Sequence, residues 1–207
     1  MPEIITSAPA LPELSFDEGP HVYRLDGEVI PSVSQIMEPL SKAKYKGIPD
    51  RVLAKAAGRG DAVHNAIENW LKFGFVDIPR EFEGYMEAFL DWWGKMNPEP
   101  VGSELKTYHK IHRYAGTVDL LCNIGGKLVL IDYKTTAQVS EMTCGVQLEA
   151  YAKALESHGI KPEEKRILQP KKDGSWKEYM FPANDVKCWR VFGACKTLYE
   201  YIGSYKN

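Results

Sequence analysis

Two carboxylates and an ammonium group fall where a short β-hairpin can bring them together. Asp119 closes the run Gly116-Thr117-Val118-Asp119, and Asp132 and Lys134 lie in Ile131-Asp132-Tyr133-Lys134. Gly125-Gly126 between the two runs predicts a two-residue turn, so Ile124 partners Lys127, Asp119 stands opposite Asp132, and Thr117 stands opposite Lys134. Directly opposed side chains have Cβ atoms about 5 Å apart, where two like charges destabilise a sheet unless a cation lies between them. Lys134, two residues beyond Asp132, shares its face of the strand. Two hard oxygen ligands and an ammonium are the set that holds Mg²⁺ or Mn²⁺ and orients a water beside a phosphate. The plainer alternative is a surface sheet with an ordinary carboxylate–lysine pair, which contributes less than about 1 kcal/mol.

Further groups join this set by spacing. His64 and Glu68 are one helical turn apart and can face the same centre, and Glu104 opens the first strand of the region as another candidate carboxylate. Gln147 and Tyr151 share a helix face, where an amide can bond a phosphate or its attacking water and a phenol can touch a nucleic-acid backbone. Lys42, Lys44, Lys46, Arg51, Lys55 and Arg59 form the densest basic run, and Lys171-Lys172 sits at a hairpin tip. Such runs are usually solvated faces, and with a phosphodiester substrate they become backbone contacts. The five tryptophans, Trp70, Trp92, Trp93, Trp176 and Trp189, are assigned to the core.

The elements that must position these groups follow from pattern. Residues 1–15 mix Pro, Ser and Ala and read as a flexible arm. Asp26-Gly27 between apolar stretches predicts a hairpin over His21–Ser34, ended by Pro31-Ser32, with Ser32 or Ser34 able to cap a helix. Helical spacing runs from Asp50 to about Phe73, with a break expected at Gly58 and Gly60, and again over Glu81–Trp93. Ser103–His109, Ala115–Ile124 and Lys127–Thr136 read as a three-stranded meander. A helix over Val146–Ser157, a hairpin of Lys165–Gln169 with Trp176–Phe181, and a last helix over Asn184–Tyr201 complete the chain.

In this order Gly116-Thr117-Val118-Asp119, Ile131-Asp132-Tyr133-Lys134 and Gln147-x-x-x-Tyr151 resemble the nuclease core of the PD-(D/E)XK superfamily, specifically its RecB-like branch with the Q-x-x-x-Y helix. The resemblance spans roughly residues 100–152 and extends to Gly60-x-x-x-His64, which resembles the motif histidine of that branch. Lys165–Tyr201 resembles the hairpin and closing helix of small members such as phage exonucleases and the mitochondrial genome-maintenance exonuclease. Val118 stands where the superfamily name has Pro, and Asp132 where Glu is common; both departures keep the carboxylates.

The resemblance implies an α/β (α+β) restriction-endonuclease-like core, with a central mixed sheet flanked by helices and an N-terminal hairpin and helical section. One nuclease domain is expected over residues 16–207, divided into 16–98 and a catalytic core at 99–207. It implies catalysis by Asp119, Asp132, Lys134 and Gln147. Metal ligation falls to His64, Asp119, Asp132 and the Tyr133 carbonyl, with Glu104 as a further carboxylate. Substrate contacts fall to Tyr151, Thr135, Lys171 and Lys172. One or two Mg²⁺ or Mn²⁺ ions are expected and no iron–sulfur cluster, since no cysteine lies upstream of the core. The implied activity is exonucleolytic, on single-stranded DNA or DNA ends, in phage or bacterial replication, recombination or repair, with a single-strand-binding or recombination protein as a candidate partner. A structure-specific or restriction-type endonuclease, a non-catalytic nucleic-acid adaptor and a metal-binding structural domain are the alternatives.

Composition bounds these readings. The 207 residues are 44% hydrophobic and 11% aromatic, enough for one buried domain. Lys plus Arg number 26 against 28 Asp plus Glu, a formal net charge of -2, so a polyanion must be met by a local patch. No apolar run approaches the roughly 18 residues that span a bilayer, no signal- or transit-peptide layout opens the chain, and four scattered cysteines suit a reducing cytoplasm. No G-x-x-x-x-G-K-[ST] loop occurs, so no nucleotide-driven motor is expected.

Overall fold

A computed structural model describes residues 13–204. A small antiparallel sheet comes first, with β1 at Leu14–Asp17, β2 at Val22–Leu25 and β3 at Glu28–Ile30. Asp26 and Gly27 both have positive φ, 52° and 84°, the geometry that lets a two-residue turn match the twist of its strands. β1 adds a third strand to the expected hairpin and begins inside the segment expected to be a flexible arm; the rest of that arm, residues 1–12, lies outside the described residues. Four residues are too few for alternation to announce a strand, and this one is held by tertiary packing. Tyr23, Leu25 and Ile30 bury against Tyr108 and Ala115.

Ser32 then caps α1, Val33–Ile36, in a reciprocal capping box with Gln35, and α2 follows at Glu38–Lys44. The long α3 runs unbroken from Asp50 to Phe73, where a break at Gly58 and Gly60 was expected. Two helical glycines disfavour the helix by about 1 kcal/mol each. Burial of Val63, Ala66, Ile67 and Leu71 outweighs that cost. After a single 3₁₀ turn, α4 spans Glu83–Met96.

The main sheet holds β4 (Glu99–Tyr108), β5 (Ala115–Ile124), β6 (Lys127–Tyr133), β7 (Glu164–Pro170) and β8 (Trp176–Phe181) in sequence order. It is antiparallel except where β6 and β7 run parallel, joined by the crossover helix α5, Glu141–Glu156. α6, Val186–Gly203, closes the chain under an Asp185 cap. α1, α5 and α6 cover one face through Ile36, Leu148 and Phe192, and α3 and α4 cover the other through Ile67, Phe89 and Trp92. The mixed α/β arrangement is the expected one. Among the described residues no helix is long and apolar enough to cross a membrane.

Two irregularities locate the site. The β5–β6 ladder starts in the expected register at Ile124 and Lys127 and ends at Leu120 and Ile131. Beyond that rung β6 parts from β5, while its pairing with β7 on the other edge, which begins at Val129, continues through Asp132 and Tyr133. The sheet forks just where Asp119 and Asp132 were expected to oppose. In β5 itself the alternation slips. Val118 and Leu121 pack on the α5 face, Leu120 and Cys122 on the α3 face, and Asp119 turns to the α3 side together with Leu120. Across the β4–β5 ladder, Glu104 sits between the residues paired with Leu120 and Val118, at the strained φ of 49°. A slipped strand beside an unpaired fork re-aims side chains.

Candidate active site at the sheet fork

Three groups from three elements meet at this fork. His64 of α3, Glu104 of β4 and Asp119 of β5 each offer a ligand atom, and these atoms lie within 4.8 Å of one another. Asp119 accepts the Tyr133 amide N–H on Oδ2 at 2.7 Å, a backbone donor left unpaired by the departure of β6. His64 Nδ1 is 3.6 Å from the same oxygen, while Nε2 donates to the Tyr133 carbonyl at 3.2 Å. That second bond fixes the tautomer and turns the Nδ1 lone pair toward the carboxylates, as in a histidine held for metal ligation by a backbone carbonyl.

The electrostatics fit a cation. Burial pushes Glu104 upward, Asp119 and Glu68 push it further, and His64 opposes them. Burial likewise raises Asp119, against His64, and Asp132 adds to the rise. Two carboxyls held above their ordinary range by desolvation and mutual repulsion are a costly arrangement for a metal-free fold. A hard divalent ion removes that cost, and one nitrogen with several carboxylate oxygens is a donor set such ions accept.

Asp132 and Lys134 lie on the other side of the fork. Ile131 and Tyr133 pack with α3 and α4, so Asp132 alternates toward α5, nearly fully buried at 2% exposure. Lys134 Nζ is 2.5 Å from Asp132 Oδ2. Burial pulls the Lys134 ammonium down, but Asp132 and Asp119 outweigh it and hold it above the ordinary lysine value. Lys134 is therefore a fixed positive charge. As an ammonium it can polarise or position a water or a phosphate oxygen.

Gln147 Nε2 donates to the Tyr151 hydroxyl at 3.1 Å, and the Tyr151 ring lies flat enough on β5 that a Cβ at Gly116 would come within 2.5 Å of it. Gly116 is thus required by close approach. Tyr151 lines a cleft of about 770 Å³ together with His64, Glu68, Glu104, Thr117 and Asp119. Glu68 enters this cleft wall in an ion pair with Lys72. Thr135, Lys171 and Lys172 meet in a second cleft of about 250 Å³, where Arg59 donates to Thr135 Oγ1 at 3.3 Å and stacks its cation over Tyr85. Gly60 lines the first cleft, and a Cβ built on it would lie 3.9 Å from Thr135 Oγ1 in the second, so the two clefts adjoin. Arg59 is the member of the basic run that reaches either cleft.

The structure brings His64, Glu104, Asp119, Asp132 and Lys134 to the fork and Tyr151, bonded by Gln147, to the same cleft. It puts Thr135, Lys171 and Lys172 in the adjoining cleft and departs from the sequence reading in two details. Asp119 meets Glu104 and His64 in place of a direct rung with Asp132, because the β5–β6 ladder ends at Leu120 and Ile131 and the Asp119 carboxylate itself takes the Tyr133 amide. The Tyr133 carbonyl is engaged by His64. Phe16, His21, Tyr23 and Lys106, which also line the larger cleft, had no local signal: the bond of 2.7 Å joining the Tyr23 and Thr117 hydroxyls links residues 94 positions apart.

Comparison with known proteins gives one family match. A sequence model described as PD-(D/E)XK nuclease superfamily matches residues 74–187, more than half of the chain, including Asp119, Asp132, Lys134, Gln147 and Tyr151. A solved structure titled "Crystal structure of SSO0001" aligns with a TM-score of 0.49 at 17% identity, covering 83% of this chain and 75% of that one. No curated protein matches the sequence.

Proposed function

The chain belongs to the PD-(D/E)XK nuclease superfamily, a fold of metal-dependent nucleases acting on DNA, and from that premise we propose that it is an exonuclease hydrolysing phosphodiester bonds at the ends of single-stranded DNA. The convergence of His64, Glu104 and Asp119 beside the Asp132–Lys134 pair is the observation that carries this reading. These three residues, with Asp132 recruited from across the fork, would hold one or two Mg²⁺ or Mn²⁺ ions. When bound, such an ion supplies a lowered water pKa and charge stabilisation at phosphorus-bound oxygens. Asp119 is oriented by the Tyr133 amide and His64 by the Tyr133 carbonyl, so β6 sets the geometry of both. Lys134 provides a fixed positive charge for the attacking water or the phosphate oxygens, and Gln147, aligned by Tyr151, donates to the same phosphate. Arg59, Thr135, Lys171 and Lys172 hold the backbone beyond the cleaved bond without reading bases.

Cleft size fits the end of a strand. About 770 Å³ lies within the range of small-molecule sites, enough to hold one or two nucleotides at the fork. In this reading the enzyme serves replication, recombination or repair in a bacterial or phage-infected cytoplasm, beside a single-strand-binding or recombination protein. The test is incubation with end-labelled linear single strands, linear duplexes and closed circles, with Mg²⁺, Mn²⁺ or EDTA. Metal-dependent release of label from linear single strands, with circles intact, is expected. Cleavage of circular single strands would make the enzyme an endonuclease, and binding without turnover would make it an adaptor.

A further inference from the structure

The wall of the larger cleft facing the trio is built by the N-terminal sheet, and its chemistry differs from that of the floor. Phe16 of β1 packs edge-on against His21 with ring centroids 4.9 Å apart and lies 4.5 Å from Tyr23. Phe16 is half-buried and His21 exposed, and both line the cleft. Lys106 Nζ stands 5.5 Å from the Phe16 ring centroid. Tyr23 is anchored to β5 by its hydroxyl bond to Thr117.

The β4–β5 ladder sets how far this wall is from the chemistry. Lys106 pairs with Thr117, and two residues along each strand come Glu104 and Asp119. Glu104 and Asp119 form no regular rung, since Glu104 leaves the strand conformation, but both positions line the same cleft as Lys106 and Thr117, roughly 7 Å away along the strands. The first pair carries the metal-holding carboxylates. The second carries a cation over an aromatic ring. Among the described residues lining this cleft Lys106 is the one lysine or arginine, against Glu18, Asp61, Glu68, Glu104 and Asp119. A phosphate held one step from the cleaved bond has this ammonium as its neutralising side chain, and the base attached to it meets Phe16 and His21.

Resting on the nuclease reading of the site, we propose that Phe16, His21 and Lys106 form a subsite for the nucleotide next to the cleaved phosphate, stacking its unpaired base on the aromatic pair and holding its phosphate on Lys106. Stacking needs a base free of a partner strand, so this subsite selects single-stranded ends and tolerates any base. His21 supports the reading. It is exposed, so core packing does not account for it, and it holds a left-handed backbone at φ 54° that aims its ring at Phe16.

The test measures binding of short oligo(dT) strands carrying one abasic residue at successive positions, by fluorescence anisotropy in Mn²⁺, with the slow-cleaving Lys134→Ala protein as the binder. Removing the base at one position near the end should weaken binding about tenfold, the scale of losing one base–aromatic stack. Adding Phe16→Leu and His21→Asn, which keep the volume and the left-handed backbone respectively, should cost the intact strand the same tenfold and leave the abasic strand unchanged. Lys106→Gln should reduce the slope of log affinity against log salt by about one. If Phe16→Leu unfolds the small sheet, His21→Asn alone carries the comparison, because that residue is exposed. An abasic series with no sensitive position, from a protein whose wild type cleaves DNA, overturns the subsite and leaves the nuclease reading standing. A wild type that neither binds nor cleaves DNA in Mn²⁺ overturns both.

Discussion

Lys134 and the two raised carboxyls define the site at the level of single residues. Lys134 is held charged by Asp132 and Asp119, so Lys134→Ala should lower turnover by about 10²-fold or more while leaving the fold intact by circular dichroism. Wild-type turnover in that variant would remove Lys134 from the chemistry. Glu104 is pushed up to about 7 and Asp119 to about 6, from ordinary values of 4.5 and 3.8. Between about pH 4 and 7 these two carboxyls bind more protons in the folded metal-free protein than in the unfolded chain and so lower its stability as pH rises. His109, pushed down to about 4 by burial, contributes the opposite sign between about pH 4 and 6.5. Mn²⁺ competes with the protons on the two carboxyls, so its stabilisation should grow with pH and level off above about 7. Melting temperatures from pH 5 to 8, in EDTA and in Mn²⁺, for the wild type and for the Glu104→Gln, Asp119→Asn double variant, check both signs; a wild-type-minus-variant difference in EDTA that does not fall with pH would show that these carboxyls are not buried together. The carboxylates and Lys134 were legible because residue type and turn register are local. Glu104's strained backbone was not, because it depends on how β5 slips beside it.

At the level of elements, hairpin rules gave the correct register from Ile124 and Lys127 down to Leu120 and Ile131 and then ceased to hold. Two-strand arithmetic assumes a ladder that runs on unbroken, whereas past that point the Asp119 side chain takes the Tyr133 amide and β6 stays paired with β7 alone. The same limit explains α3. Gly58 and Gly60 weaken a helix locally, and the buried stripe from Val63 to Leu71 restores it. Because nothing lies within 4 Å of a Cβ at Gly58, Gly58→Ala should raise stability by roughly 0.5 to 1 kcal/mol, read from chemical denaturation. Gly116 is the opposite case. A methyl there meets the Tyr151 ring at 2.5 Å, so Gly116→Ala should destabilise by roughly 1 to 3 kcal/mol and reduce activity by displacing the Gln147–Tyr151 pair. Tyr151→Phe, which keeps the ring and loses only the bond from Gln147, should be milder in stability than Gly116→Ala. The reverse order would mean that Tyr151 is held by its hydroxyl more than by packing on β5.

Over the whole molecule, a chain of net charge -2 must meet DNA through a confined surface. The adjoining cleft, lined by Arg59, Lys171 and Lys172, is the surface proposed for that contact. Affinity for single-stranded DNA should therefore fall steeply between low and physiological salt, and Lys171→Gln with Lys172→Gln should flatten that dependence by a slope of about two. The N-terminal sheet was the part of the molecule least legible beforehand, since its position over the cleft is set by contacts of Tyr23 and Ile30 with residues far along the chain. The central claim is that His64, Glu104 and Asp119 form one metal centre at the forked sheet. It is tested most directly by anomalous scattering from crystals soaked in Mn²⁺, collected near the manganese absorption edge. A peak within bonding distance of all three side chains is predicted, lost in Asp119→Asn crystals. An active wild-type protein whose only manganese peaks lie away from this trio would contradict it.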